Sequence, residues 1–283
     1  MSINTSRAGV TLIELIVSLM VLMVLITIGG VTAQRSLQVQ ARASVVDARR
    51  TALSDAIRTL SRHSANIDLM RGDLRAARDT VLELMHTVGT VPVCRMVADT
   101  LFINTGRDTT PWSASLPRLV SSDDEVRLWH DATATWESRT VRSLTAASGA
   151  CGDTTQPWAG RATQRLLLSG SVSGIRAGAQ VRIVQREKWS LVRGGDGNWS
   201  LSLAAWDRVR NRYDAPQPLL SPLSAPGARG GSGFAVRALN ASGDMVPESA
   251  LFSAHALLVT LRIAPHARYG ATTDSVRINV GAR

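Results

Sequence analysis

The chain has 283 residues and is strongly basic: 32 Lys and Arg residues stand against 22 Asp and Glu, a formal net charge of +10, and the pI is near 11.2. Basic surfaces attract nucleic acid and anionic lipid, so both remain open as partners. An enzyme is disfavoured, because the five histidines fall at no metal-ligand spacing and the sequence contains no nucleophile motif. The sequence therefore predicts neither catalysis nor a bound metal or cofactor.

The first element is an apolar run from Val10 to Ala33 whose only charged residue is Glu14. A helix rises about 1.5 Å per residue, so this run is long enough to cross a hydrocarbon core of about 30 Å. Residues 10–33 are therefore predicted to span a membrane. Gly29 and Gly30 lie near the outer end of the span, where each weakens the helix by about 1 kcal/mol relative to Ala. The two glycines predict a local bend or melting point.

Glu14 is an unusual residue for a membrane span. A charged side chain at this depth costs about 2.5 to 3.5 kcal/mol, so such residues usually face a partner of opposite charge. A second interpretation places Glu14 near the water interface, where its side chain reaches outward to solvent. The composition of the span leaves both interpretations open.

The residues before the span distinguish it from a secretory signal peptide, which carries its cleavage site after the apolar region. Here the preceding segment is short, polar and ends in Gly9. The sequence Gly9-Val10-Thr11-Leu12-Ile13-Glu14 resembles the signature of the type IV prepilin family. The resemblance implies a leader of residues 1–9, cleavage between Gly9 and Val10 by a prepilin peptidase, and N-methylation of Val10. Two departures from the family are Val10, where Phe is commoner, and a leader with one basic residue, Arg7.

The resemblance also implies a role for Glu14 and a set of partners. Cleavage creates an α-ammonium group at Val10, which can neutralise Glu14 of a neighbouring subunit in a bundle of spanning helices. The implied partners are other minor pilins or pseudopilins, the major subunit, an inner-membrane assembly platform and inner-membrane lipid. Arg7 favours a cytoplasmic N-terminus, so the expected location is the bacterial inner membrane with the C-terminal domain in the periplasm.

An amphipathic segment follows the span, with Leu53, Ile57 and Leu60 at helical spacing. It predicts a continuous helix from Val10 to about Arg62. A second helix is predicted from Ile67 to Met85, because apolar residues there also recur at helical spacing and Gly89 and Pro92 follow. Residues 34–89 are thus expected to be helical.

From residue 90 the apolar period changes to two, which is typical of strands with one covered face. The alternating residues are Val181, Ile183 and Gln185; Trp189, Leu191 and Arg193; Trp199, Leu201 and Leu203; Leu257, Val259, Leu261 and Ile263; and Val276, Ile278 and Val280. The run Gly194 to Asn198 predicts a hairpin turn rather than a phosphate or calcium loop. Residues 104–117, 145–163 and 214–233 are predicted to be loops, the last because of its Pro and Gly content.

Cys94 and Cys151 are the two cysteines of the chain. One disulfide between them would suit an oxidising periplasm. Two unrelated buried thiols are the alternative, since spacing in the sequence says nothing about the separation of the Cα atoms.

The complete plan predicts an α+β protein in which a long N-terminal helix packs on a mostly antiparallel β-rich domain at residues 90–283. It resembles a minor pilin or a larger minor pseudopilin of type II secretion, especially the J type. The expected role is initiating or capping assembly of a pilus or pseudopilus. The alternative is a DNA-binding minor pilin of an uptake system, suggested by the net charge, by seven tryptophans and by Arg71, Arg75 and Arg78 on one side of the predicted second helix.

Overall fold

The computed structural model describes residues 12–64, 67–69, 72–104, 120–122, 124–147, 150–151, 160–161, 164–208, 210–266 and 270–279. Gly9, Val10, most of the predicted loops at 104–117 and 145–163, and Val280 lie outside the described residues. The chain divides into two compact units, residues 1–51 and residues 52–283.

The N-terminal helix, α1, extends over Leu12–Ser64, which confirms the predicted long helix. Helical hydrogen bonding continues through Gly29 and Gly30, so the helix does not melt there. A Cβ at either glycine would meet no atom within 4 Å. A larger side chain would therefore fit at either position without contacting a described residue of the same chain.

The remainder of the described chain consists mainly of strands, with a short 3-10 helix at Glu248–Ser253. The strands are β1 (Leu74–Arg78), β2 (Val81–Val97), β3 (Thr100–Ile103), β4 (Glu125–His130), β5 (Thr135–Ala146), β6 (Ala150–Cys151), β7 (Gly160–Arg161), β8 (Gln164–Leu168), β9 (Gln180–Arg193), β10 (Trp199–Asp207), β11 (Arg212–Tyr213), β12 (Gln217–Leu223), β13 (Phe234–Leu239), β14 (Ala256–His266) and β15 (Gly270–Asn279). Their pairings are antiparallel, so the predicted α+β class is confirmed.

Six of these strands close into a barrel. β2 pairs with β3, β3 with β8, β8 with β5, β5 with β4, β4 with β9, and β9 again with β2. A barrel of this size is filled by its own side chains. The buried residues of this barrel core include Val91, Val93, Leu101, Ile103, Val126, Leu128, Val141, Leu166, Leu168, Val181 and Ile183.

A second, helix-facing core lies between the last turns of α1 and the rest of the sheet. The helix contributes Leu53, Ala56 and Leu60, at the spacing that places side chains on one face. The strands contribute Leu82, Leu84, Trp189, Leu191, Leu201, Leu220, Phe234, Val236, Leu257, Val259, Leu261 and Ile263. β2 and β9 are long because each of them serves both cores.

The predicted second helix at residues 67–85 is wrong, because this segment holds β1 and the start of β2. The two strands form a hairpin in which Arg78 pairs with Val81 and Leu74 with Leu84. Thr80 in its turn has a positive φ of 73°, and no glycine marks the position. β2 also pairs with β9 over residues 81–92. This long-range pairing outweighs the helical spacing of the apolar residues.

The prediction that residues 214–233 form a loop is wrong in part, because β12 lies within them. Its pairing with β10 is irregular between Trp199 and Ser202, where the register shifts. Such irregular positions accommodate prolines, which cannot donate a hydrogen bond to the neighbouring strand.

The predicted turn between β9 and β10 is confirmed: Gly197 has a φ of +79° and donates its N–H to the Gly194 carbonyl at 3.0 Å.

We expect Leu60→Ala to lower the free energy of unfolding by about 2 to 5 kcal/mol, because it removes a fully buried side chain and leaves a cavity. Urea unfolding of the full chain in detergent measures the change. The matched control is Arg58→Ala on the exposed face of the same turn, whose surface pair with Asp55 contributes less than about 1 kcal/mol. Equal effects of the two substitutions would contradict the packing of this helix face.

Candidate functional site

The first half of α1 presents an uncovered apolar surface. Exposure of its large side chains ranges from 44% at Ile16 to 81% at Leu12 between Leu12 and Ile28. The mean hydropathy reaches 2.7 over 18 residues, and none of that window is buried by described residues. An apolar surface of this extent needs a lipid or protein cover. By length and composition the helix is able to cross a membrane.

Hydroxyl groups on this part of α1 are hydrogen-bonded within the helix. The side chains of Ser18, Thr27 and Thr32 donate to backbone carbonyls four residues earlier. A hydroxyl group that is satisfied by its own helix can enter hydrocarbon at little cost. The polar residues of the segment are therefore compatible with a lipid environment.

Glu14 lies in the first described turn of α1. The N-terminal end of a helix carries partial positive charge, which favours a carboxylate there by about 0.3 to 1 kcal/mol. That gain is smaller than the cost of about 2.5 to 3.5 kcal/mol for an ionised group deep in a bilayer. The partial charge at the helix end by itself therefore does not offset the cost of placing the ionised Glu14 carboxylate at that depth.

Residues 4–30 match the family described as the prokaryotic N-terminal methylation motif. This match supports a type IV prepilin-like protein. The motif implies processing by a prepilin peptidase and assembly with pilin subunits, and proteins of this kind are structural rather than enzymatic. No curated protein and no solved structure matches the chain. The motif covers the N-terminal segment and does not extend into the β-rich domain.

In the β-rich domain, Cys94 and Cys151 form a disulfide with their Cα atoms 4.6 Å apart. The bond joins β2 to the short strand β6 across 57 residues of sequence. Both cysteines are buried, and Phe102 and Ala147 pack against them. Because it is enclosed, the bond is shielded from reductants in solvent.

Several arginines of the domain are neutralised by nearby carboxylates. Arg208 contacts Glu125 at 2.6 Å and Arg186 contacts Glu83 at 3.0 Å. Both arginines line a pocket of about 790 Å³ that Glu125 and Asp207 also line. Positive charge that is balanced locally attracts a polyanion weakly.

The arginine row proposed on a second helix is wrong, since Arg75 and Arg78 lie on β1 and Arg71 lies outside the described residues. β1 is a strand whose register shifts between Leu74 and Ala76, so the helical spacing that would align the arginines does not apply. Arg78 also contacts Glu248 at 3.0 Å. The basic stripe on which the DNA-binding alternative was partly based is therefore not formed by β1.

The described tryptophans are largely occupied by contacts within the domain. Trp189 is fully buried. The Arg182 and Arg186 guanidinium groups lie over the rings of Trp136 and Trp206, at 4.3 and 4.5 Å from the ring centroids. Stacking of a base on either ring would have to displace an arginine.

A polar cluster that the sequence did not predict separates the two cores. On β9, Glu187 lies between Ile183 of the barrel core and Trp189 of the helix-facing core, on the same face of the strand. His86 of β2 and His63 in the last turn of α1 both contact this carboxylate. The contacts join residues 124 and 101 positions apart in the chain. Sequence spacing carries no signal of such a cluster.

Glu187 is ionised in the folded protein. Burial alone would raise the pKa of its carboxyl group, but hydrogen bonds from His63 and His86 and the attraction of their rings outweigh burial. Together they lower the pKa of Glu187 to about 2. A buried negative charge therefore lies at the junction of the helix end, β2 and β9.

Proposed function

We propose that the protein is a minor pilin or minor pseudopilin, a low-copy, membrane-anchored subunit that initiates or caps a pilus or pseudopilus of the type IV pilus or type II secretion kind. The observation that carries the proposal is the methylation motif at residues 4–30. It overlaps an apolar helix whose large side chains are not buried by described residues. An element of this kind can anchor a subunit in lipid before assembly and pack against neighbouring helices afterwards.

The size of the second compact unit supports the minor role. It comprises residues 52–283 and contains both the helix-facing core and the closed barrel. A bulky domain is hard to repeat at every position of a closely packed filament. It is readily accommodated at a tip, where only one side of the subunit has a neighbour.

The proposed processing and assembly chemistry involves Gly9, Val10 and Glu14. Cleavage after Gly9 frees the amine of Val10, which then accepts one methyl group. The resulting ammonium group pairs with Glu14 of an adjacent subunit, and this pair compensates two charges that would be costly alone in lipid. The anchor lies in the bacterial inner membrane, and the β-rich domain lies in the periplasm, where the Cys94–Cys151 bond persists.

The first test is the N-terminal mass of the protein purified from membranes, with and without a co-expressed prepilin peptidase. We expect a peptidase-dependent N-terminus at Val10, with or without one methyl group. Gly9→Leu is expected to abolish the shift, because a bulky residue replaces the small one at the cleavage site. Ser6→Ala in the same leader is the matched control. An intact N-terminus in the presence of active peptidase would contradict the proposal.

A separate mass-spectrometric measurement tests the minor role. Peptide abundances from sheared filaments should place this subunit far below the major subunit. Equal abundance would make it a major subunit and would contradict the low-copy proposal while leaving the processing result intact.

The DNA-binding alternative has weaker support. Arg186 and Arg208 contact carboxylates, and arginines cover the rings of Trp136 and Trp206. Both contacts reduce the positive charge and the aromatic surface that the described residues present to a nucleic acid. A gel shift of the full chain in detergent at low salt tests this alternative, and absence of binding there removes it.

A further inference from the structure

We propose that His63, His86 and Glu187 bind a divalent transition-metal ion, for which Zn²⁺ is the probe, and that this ion fastens the last turn of α1 to β2 and β9. The three residues belong to the same compact unit. The proposal does not depend on the filament role proposed above.

The first argument is convergence. The His63 Nδ1 atom lies 2.7 Å from one oxygen of Glu187, and the His86 Nδ1 atom lies 3.1 Å from the other. One ligand atom from each residue falls within 4.8 Å of the other two. Metal bonds of 2.0–2.1 Å at tetrahedral angles separate ligand atoms by about 3.3 Å. A pair of ligand atoms at that upper limit would have to move closer by about 1.5 Å to reach this separation.

The second argument is charge. The Glu187 side chain is 6% exposed, and a buried carboxylate is costly unless a cation balances it. The two imidazole rings are stacked beside it with their centroids 3.9 Å apart. A divalent ion bound by the rings and the carboxylate supplies the balancing charge.

The third argument is the type and number of ligands. Two imidazole nitrogens and one carboxylate oxygen suit zinc and its neighbours in the first transition row, whereas Mg²⁺ and Ca²⁺ prefer oxygen ligands throughout. Three protein ligands leave a fourth position for water or another ligand. The His63 and His86 side chains are 21% and 19% exposed, so the cluster can be reached from solvent.

The consequence would be a cross-link between the helix end and the paired strands. His63 precedes the end of α1 at Ser64 by one residue, and Glu187 adjoins Trp189 in the helix-facing core. A ligand that binds the folded chain and not the unfolded chain stabilises the folded state in proportion to the logarithm of its concentration. Metal should therefore raise resistance to unfolding in a concentration-dependent way.

The test uses the full chain in detergent, purified without a polyhistidine tag, stripped with a chelator and titrated with Zn²⁺ by calorimetry. We expect one Zn²⁺ per chain, no competition from Mg²⁺, and absorption bands typical of tetrahedral Co²⁺ when Co²⁺ replaces zinc. His63→Ala and His86→Ala should each weaken Zn²⁺ binding by at least about tenfold. Zn²⁺ should raise the urea midpoint of the wild-type protein and leave that of the His63→Ala variant unchanged.

His255→Ala is the matched control, since His255 is an exposed histidine outside the cluster, and it should bind Zn²⁺ as the wild type does. Circular dichroism verifies that each variant is folded. A third variant, Glu187→Gln, removes the carboxylate ligand and should also weaken Zn²⁺ binding. If this variant fails to fold, the two histidine variants still decide the result. Less than one bound Zn²⁺ per chain, or wild-type affinity in the folded His63→Ala variant, would overturn the proposal.

Discussion

Replacing Glu14 by Leu is expected to leave the protein in the membrane while reducing its co-assembly with partner subunits by on the order of a hundredfold. Insertion should improve slightly, because the substitution removes a charge from an apolar segment. Assembly should fail, because the Val10 ammonium group of the adjacent subunit would lose its counter-charge in lipid. Removing one partner of a buried ion pair costs about 3 to 5 kcal/mol, which corresponds to more than a hundredfold in an association constant.

The measurement is the fraction of this subunit that co-purifies with its partner subunits from detergent-solubilised membranes. Ser18→Ala, one helical turn from Glu14, is the matched control and should assemble normally, since its hydroxyl group bonds only its own helix. Glu14→Gln separates charge from size and should behave as Leu does. Normal assembly of the Gln variant would favour the alternative in which Glu14 lies at the water interface.

Loss of the Cys94–Cys151 bond is expected to lower the free energy of unfolding by about 4 kcal/mol. The bond closes a loop of 57 residues, and constraining a loop of this length removes that much chain entropy from the unfolded state. A loss of this size is a large fraction of the free energy of unfolding of a typical domain. We therefore expect poor accumulation of the protein when it is made in a reducing compartment.

Urea unfolding of the full chain, with the wild type compared against Cys94→Ser, Cys151→Ser and the double variant, measures this change. The double variant should be about as unstable as either single variant, because one bond is lost in all three. Thiol titration of the denatured wild type should find no free thiol before reduction. Two free thiols, together with a urea midpoint that reductant leaves unchanged, would show that the bond is not present in the mature protein.

Part of the β-rich domain, namely β9, β10, β14 and β15, could be predicted because its signals are local. The alternation through β9, β10, β14 and β15 reflects a strand with one covered face, and the Gly194 to Asn198 turn reflects residues that accept positive φ. The helix face of Leu53, Ile57 and Leu60 was identified for the same reason. In each case the pattern is complete within one or two elements.

Elements whose local signal conflicted with their partners were predicted wrongly. The β1–β2 hairpin has apolar residues that also fit a helix, and its turn uses Thr80 rather than Gly. β2 pairs with β9, which lies about a hundred residues later in the chain, and this pairing stabilises the strand over the helix. β12 was missed because prolines argue against a strand, and only its shifted register against β10 accommodates them.

The sequence by itself determined the apolar N-terminal helix, the methylation motif and the alternating strands, because the signal for each lies in residues that are neighbours in the chain. The tertiary structure alone decided that β2 and β9 close a barrel and that Cys94 meets Cys151. It alone also brought His63 and His86 to Glu187. These features depend on contacts between distant segments, whose geometry is set by burial of the two cores and not by spacing along the chain.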